Sequence, residues 1–60
     1  MYAMLKITWK TIDNAEIEFE QEMLVHEIKF GEPIIELYRF GEVVGKIDTR
    51  ILTELHVVIA

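Results

Sequence analysis

Residues 34–47 carry the clearest hairpin pattern in the chain, and they read Ile-Ile-Glu-Leu-Tyr-Arg-Phe-Gly-Glu-Val-Val-Gly-Lys-Ile. Apolar side chains alternate along two arms, and a glycine lies between the arms. A three-residue loop of Arg39, Phe40 and Gly41 would put the glycine in the left-handed bulge position, which costs glycine almost nothing. The core face of this predicted hairpin carries four apolar residues: Ile35, Leu37, Val43 and Ile47.

A second register is compatible with the same residues. A two-residue turn of Gly41 and Glu42, of type II′, would bring Glu36 onto the face that carries Val43. Because a one-residue slip moves every side chain to the opposite face of a strand, we favour the three-residue loop. Gly45 then lies on the buried face, where a glycine indicates a bend or a close backbone approach.

Period-2 alternation predicts another hairpin earlier in the chain. Residues 5–10 and residues 16–20 each alternate apolar with polar or charged side chains, and Asp13-Asn14 marks a turn between them. Pairing Trp9 with Ile17 joins apolar partners and also sets lysines against glutamates. This agreement of two patterns favours that register.

The remaining segments complete an all-β pattern. We predict a third strand at residues 23–30, a turn at residues 31–33 and a last strand at residues 55–59. Residues 48–50 break the alternation and favour a single capped helical turn. Residues 21–28 mix acidic and apolar side chains, so this region is the one most able to form a helix instead.

The sequence therefore predicts one all-β domain spanning residues 1–60, with about six antiparallel strands in a meander that curls into a barrel or a sandwich. A chain of 60 residues buries only about 60% of its unfolded surface and is marginally stable alone. With no cysteine, disulfides cannot add stability. Self-association, most simply as a two-fold homodimer or else as a higher oligomer, is the remaining route.

Charge and composition disfavour several functions. The net charge of −5 argues against direct binding to nucleic acid or to anionic membranes. There is no apolar run of transmembrane length and no signal-peptide pattern, so a cytoplasmic protein is expected. The chain has no serine or cysteine nucleophile, and His26 and His56 lack metal-ligand spacing. We predict neither an enzyme nor a cofactor or metal site.

Aromatic and acidic residues suggest two candidate binding surfaces. Trp9 fits the core, and Tyr2 is a further aromatic candidate for a binding surface. The favoured site is the tip of the central hairpin, because tyrosine and arginine often dominate binding energy and a hairpin holds them rigidly. It comprises Tyr38, Arg39, Phe40 and Glu42. The alternative is an acidic row that mimics nucleic-acid phosphates and blocks a DNA- or RNA-binding protein; as a solvated strand face, the same row would only aid solubility. This row comprises Glu16, Glu18, Glu20 and Glu22.

Residues 38–47, Tyr-Arg-Phe-Gly-Glu-Val-Val-Gly-Lys-Ile, together with residues 55–58, Leu-His-Val-Val, carry a resemblance. They resemble the C-terminal half of small β-rich proteins of phages and prophages of Gram-positive bacteria. The resemblance covers less than half of the chain and assigns no functional residue. It implies a protein that works by binding a host or phage protein. We accordingly predict a small protein-interaction module, such as a phage-type regulator or inhibitor, in preference to a small-ligand domain.

Overall fold

The computed structural model describes residues 3–60, which form six strands and no helix. The strands are β1 (Leu5–Ile12), β2 (Glu18–Val25), β3 (Glu27–Lys29), β4 (Ile34–Arg39), β5 (Glu42–Asp48) and β6 (Leu52–Ile59). The all-β prediction is confirmed, and residues 21–28 are strand with one bend. No helix in the described part of the chain is long and apolar enough to cross a membrane. Tyr2 lies outside the described residues.

Two three-stranded antiparallel sheets share one core. Their strand orders are β2-β1-β6 and β3-β4-β5, so the last strand returns to β1 and does not extend a simple meander beside β5. The first sheet contributes the buried residues Ile7, Trp9 and Val25, and the second contributes Ile35, Leu37 and Ile47. Trp9 is only 5% exposed, which confirms its predicted place in the core.

The chain passes from one sheet to the other at His26, which separates β2 from β3. Val25 is fully buried, and Ile28 packs against the same core. Residues three apart lie on opposite faces of a regular strand. The bend at His26 therefore changes which residues face inward, and the single strand predicted at residues 23–30 is two strands.

The first hairpin has a different register from the predicted one, with Trp9 opposite Gln21 and not opposite Ile17. Asp13 sets the loop, because its Oδ1 accepts hydrogen bonds from the backbone N–H groups of Ala15 and Ile17, both at 2.9 Å. This Asx-type loop moves the reversal further along the chain. The displacement is an even number of residues, so each side chain keeps the parity of its predicted face. The predicted core partners Ile17 and Phe19 are nevertheless 54% and 50% exposed, because Ile17 now precedes β2 and Phe19 lies opposite Thr11 near the start of β2.

The central hairpin uses neither of the registers weighed from the sequence. Arg39 pairs with Glu42, which leaves a two-residue turn of Phe40 and Gly41. Both turn residues have positive φ, 51° for Phe40 and 77° for Gly41. That combination is the pattern of a type I′ turn, whose twist matches the twist of the strands that it joins.

A bulge next to this turn corrects a second prediction. The register shifts after Leu37, which pairs with Gly45, so that Tyr38 pairs with Val43. Val43 is consequently 44% exposed and does not belong to the core face as predicted. Gly45 does make the expected close approach, because a Cβ there would lie 3.3 Å from the Leu37 Cδ1 and the Met23 Cε atoms.

Asp48 is the last residue of β5, and Thr49 and Arg50 form a turn directly after it in place of the predicted helical turn. Asp48 nevertheless acts as a cap, because its Oδ1 accepts the backbone N–H of Arg50 at 2.9 Å. The Arg50 guanidinium also binds both carboxylate oxygens, at 3.0 and 2.8 Å. The side-chain hydrogen bonds from Arg50, followed by its backbone hydrogen bond, lower the pKa of Asp48 to about 2.

This pKa makes the turn a source of acid sensitivity. Because the pKa of Asp48 is lower in the folded chain, its contribution to stability is complete above about pH 4, the ordinary aspartate range, and is lost as the pH falls through about 2. We expect the melting temperature of the Asp48→Asn variant to fall less than that of the wild type between about pH 4 and pH 2. Parallel melting curves across this window would contradict the assignment.

Candidate functional site

A depression of about 280 Å³ lies where the tip of the central hairpin meets the bend between β2 and β3. Its lining residues are His26, Glu27, Tyr38, Phe40 and Gly41. Two of them, Tyr38 and Phe40, belong to the tip predicted from the sequence. The other lining side chains, His26 and Glu27, come from the bend, 11 or more residues away along the chain.

Three contacts attach the tip to the bend. The backbone N–H of His26 donates to the Tyr38 carbonyl at 2.9 Å. The backbone N–H of Phe40 donates to Nδ1 of His26 at 3.1 Å, so this ring nitrogen acts as an acceptor. The His26 and Phe40 rings also meet edge to face, with centroids 4.4 Å apart. The backbone and the side chain of His26 therefore both hold it to the hairpin tip, at Tyr38 and at Phe40.

Arg39 supports the tip from its other side. Its Nε and Nη2 atoms donate to the Leu24 carbonyl at 3.1 and 2.6 Å. The guanidinium thus joins the end of β4 to β2, and it does not line the depression. In the strand register, Glu42 lies opposite Arg39 across the turn, and it does not line the depression either. The predicted four-residue tip therefore divides into two residues at the depression and two beside it.

The walls of the depression are aromatic and acidic. Glu27 lies directly across the strands from Tyr38. Burial, followed by the negative charge of Glu36, a hydrogen bond to Glu36 and the charge of Glu27, raises the pKa of the Tyr38 hydroxyl above its usual value. Two carboxylates, those of Glu36 and Glu27, therefore lie close enough to the phenol to act on its pKa, after burial. Glu36 itself lies between Lys29 and Lys46 on the neighbouring strands.

Sequence reasoning placed His26 on a regular strand and did not bring it near the hairpin tip. One sign of the bend was present in the sequence, because neither face of the predicted strand at residues 23–30 is polar throughout. A mixed pattern of this kind is what a strand gives when its buried face changes partway along. The partner of His26 could not be read from that pattern, since Phe40 is 14 residues away.

The predicted acidic row is partly neutralised. Three of its four glutamates lie on β2, opposite outer-face residues of β1: Glu18, Glu20 and Glu22. Glu16 lies in the turn, with a φ of 61°. The Lys6 ammonium lies 2.7 Å from Glu22, and that of Lys10 lies 3.6 Å from Glu18. The row therefore presents alternating charges along β1 and β2.

The second histidine also belongs to this outer face. Nε2 of His56 lies 3.1 Å from Glu54, which in turn lies 3.2 Å from the Lys10 ammonium. The hydrogen bond from His56, then the hydrogen bond and charge of Lys10, lower the pKa of Glu54. Among residues 3–60, no three histidine, cysteine or carboxylate side chains come together as metal ligands.

Comparison with protein-family models, curated proteins and solved structures finds no match for this chain.

Proposed function

We propose that this protein is a non-enzymatic interaction module that binds another protein through the tip of the β4–β5 hairpin. One observation carries the proposal. Phe40 occupies a left-handed backbone position, with φ of 51°, and its side chain is 74% exposed. Asparagine, aspartate or glycine is the usual residue at that position of a type I′ turn.

A phenylalanine at this position costs stability without gaining much burial. A left-handed conformation costs a residue other than glycine roughly 1 kcal/mol or more. The edge-to-face contact with His26 offsets part of that cost, but it leaves most of the ring in solvent. Backbone strain of this kind is concentrated at ligand-binding positions, where function requires the side chain. Binding by Phe40 explains why the strained residue is aromatic.

The tip is also suited to binding because it is rigid before any partner arrives. The Arg39 contact fixes it to β2, and the His26 contact fixes it to the bend that follows β2. A surface that is already ordered loses less conformational entropy on association. A phage-type regulatory or inhibitory role, implied by the sequence resemblance, is one form that such an interaction module would take.

Substituting Phe40→Asn separates binding from folding. Asparagine tolerates the left-handed position, and the backbone N–H at residue 40 can still donate to His26. We therefore expect the melting temperature to stay within about 5 °C of the wild type, which corresponds to less than about 1 kcal/mol for a domain of this size. We expect the proteins that immobilised wild type captures from a bacterial lysate to be lost with this variant, as quantified by mass spectrometry.

The matched control is Phe30→Asn, because Phe30 is also a highly exposed phenylalanine, at 64%, but it lies in the loop after β3. It should retain the captured proteins. Arg39→Ala is expected to lower the melting temperature, since it removes both hydrogen bonds to the Leu24 carbonyl. Equal capture by the Phe40→Asn variant and the wild type, or no specific capture by the wild type, would contradict the proposed function.

We also propose that the chain forms a two-fold dimer through the edge of β6. A compact chain of this mass is expected to expose roughly 4,100 Å², whereas this one exposes 4505 Å². Part of the excess lies on the last strand, where Val57, Val58 and Ile59 are 40%, 55% and 81% exposed. Antiparallel pairing of two β6 edges would cover backbone and apolar side chains together.

A charged residue introduced on the β6 edge should prevent this dimer from forming. Sedimentation equilibrium at low micromolar concentration should give the wild type a mass above the 7.1 kDa of one chain. The Ile59→Lys variant should sediment as a single chain, because lysine on an edge strand opposes strand addition. Val44→Lys, on β5, is the matched control and should remain associated. A wild type that sediments as a monomer would refute the dimer.

A further inference from the structure

The size of the depression at the hairpin tip limits what it can hold. Pockets for cofactors and drug-sized ligands usually measure about 300–1,000 Å³ and enclose most of the ligand. This depression measures about 280 Å³, just below that range, and its lining residues come from one turn, one bend and the strand residues beside them. It therefore suits one long side chain of a partner better than a free cofactor.

The residues that line the depression favour a positively charged side chain. Among residues 3–60, the depression is lined by the aromatic rings of His26, Tyr38 and Phe40, and Glu27 is the one charged residue in the lining. The faces of phenylalanine and tyrosine rings are electronegative and attract cations. Burial raises the pKa of the Tyr38 hydroxyl first, and the nearby carboxylates of Glu36 and Glu27 then add to the rise.

In the described part of the chain, no lysine or arginine forms an ion pair with the Glu27 carboxylate, so this carboxylate can bind a partner's cation. The Arg39 guanidinium is held on the Leu24 carbonyl, and no lysine or arginine in the described part of the chain lines the depression. Within residues 3–60, Glu27 takes part in none of the ion pairs, all of which involve other carboxylates. On the outer face of β1 and β2, by contrast, the lysines lie within ion-pair distance of glutamates.

We propose that this depression receives an arginine side chain of the protein partner, an inference that rests on the proposed role of the tip in binding. A guanidinium is planar, so it can stack on an aromatic face while its N–H groups bind a carboxylate in pairs. Tyr38 and Phe40 supply the rings, and Glu27 supplies the carboxylate. The net charge of −5 would also attract a basic partner before contact.

The site can be tested without knowing the partner. ¹⁵N-labelled protein is titrated with Nα-acetyl-arginine amide, and with the citrulline and lysine equivalents, at constant ionic strength. We expect amide shifts at residues 26–27 and 38–41 with the arginine probe. Citrulline keeps the shape but lacks the charge, and we expect it to bind about tenfold more weakly. Lysine should fall between the two, because it has no planar fork.

Two charge-matched variants locate the interaction. Glu27→Gln should weaken arginine binding about tenfold. Glu20→Gln removes one negative charge from the outer face of β2 and should leave binding unchanged. Equal weakening by both variants would mean general attraction to an acidic protein and would overturn the site. Equal binding of arginine and citrulline by the wild type, or no shifts at the depression, would overturn it without any variant.

A failure of the arginine assignment can be distinguished from a failure of the proposed function. If Phe40→Asn abolishes partner capture but the arginine probe does not bind, the tip is an interaction site and the arginine assignment is wrong. If Phe40→Asn leaves capture unchanged, the partner binds elsewhere, and the arginine assignment loses its basis even where the probe binds. Support for the inference requires loss of capture together with Glu27-dependent binding of arginine.

Discussion

The bend at His26 is the constraint on which the rest of the structure depends. It divides one long extended segment into β2 and β3, so that the chain can leave the first sheet and enter the second. It also changes the inward face, which lets Val25 and Ile28 contribute to one core although they are three residues apart. Without it, a continuous strand would turn Glu27 inward with Val25, where an unpaired carboxylate is costly.

The same bend also forms part of the candidate binding surface. A broken strand leaves polar groups without regular ladder partners, and His26 meets this need by bonding to the hairpin tip through its backbone and its ring nitrogen. The tip is therefore fixed beside the bend, with Phe40 displayed at its end. On the outer face of the other sheet, Lys6 and Lys10 compensate the glutamates. At the bend, aromatic rings lie beside the Glu27 carboxylate, which takes part in none of the ion pairs among residues 3–60.

The candidate site could be predicted only in part. Tyr38 and Phe40 stand out in the sequence because they lie at the tip of a hairpin, where core packing does not require aromatic side chains. Their partners His26 and Glu27 are distant in sequence and look like residues of an ordinary strand. Arg39 could be recognised as a binding or pairing residue, but its acceptor is the Leu24 carbonyl, and a backbone group leaves no trace in a residue pattern.

The sequence by itself determined that the chain is all-β, because period-2 alternation reports which side chains share a face. For the same reason it identified the core positions of β1 and β4, such as Ile7 and Leu37. Register was decided only in the tertiary structure. Hydrogen bonds accepted by the Asp13 carboxylate moved the first reversal, and a type I′ turn with a bulge turned Val43 outward. Alternation repeats every two residues, so it cannot distinguish registers that differ by an even number, and it cannot anticipate a bulge that long-range packing selects.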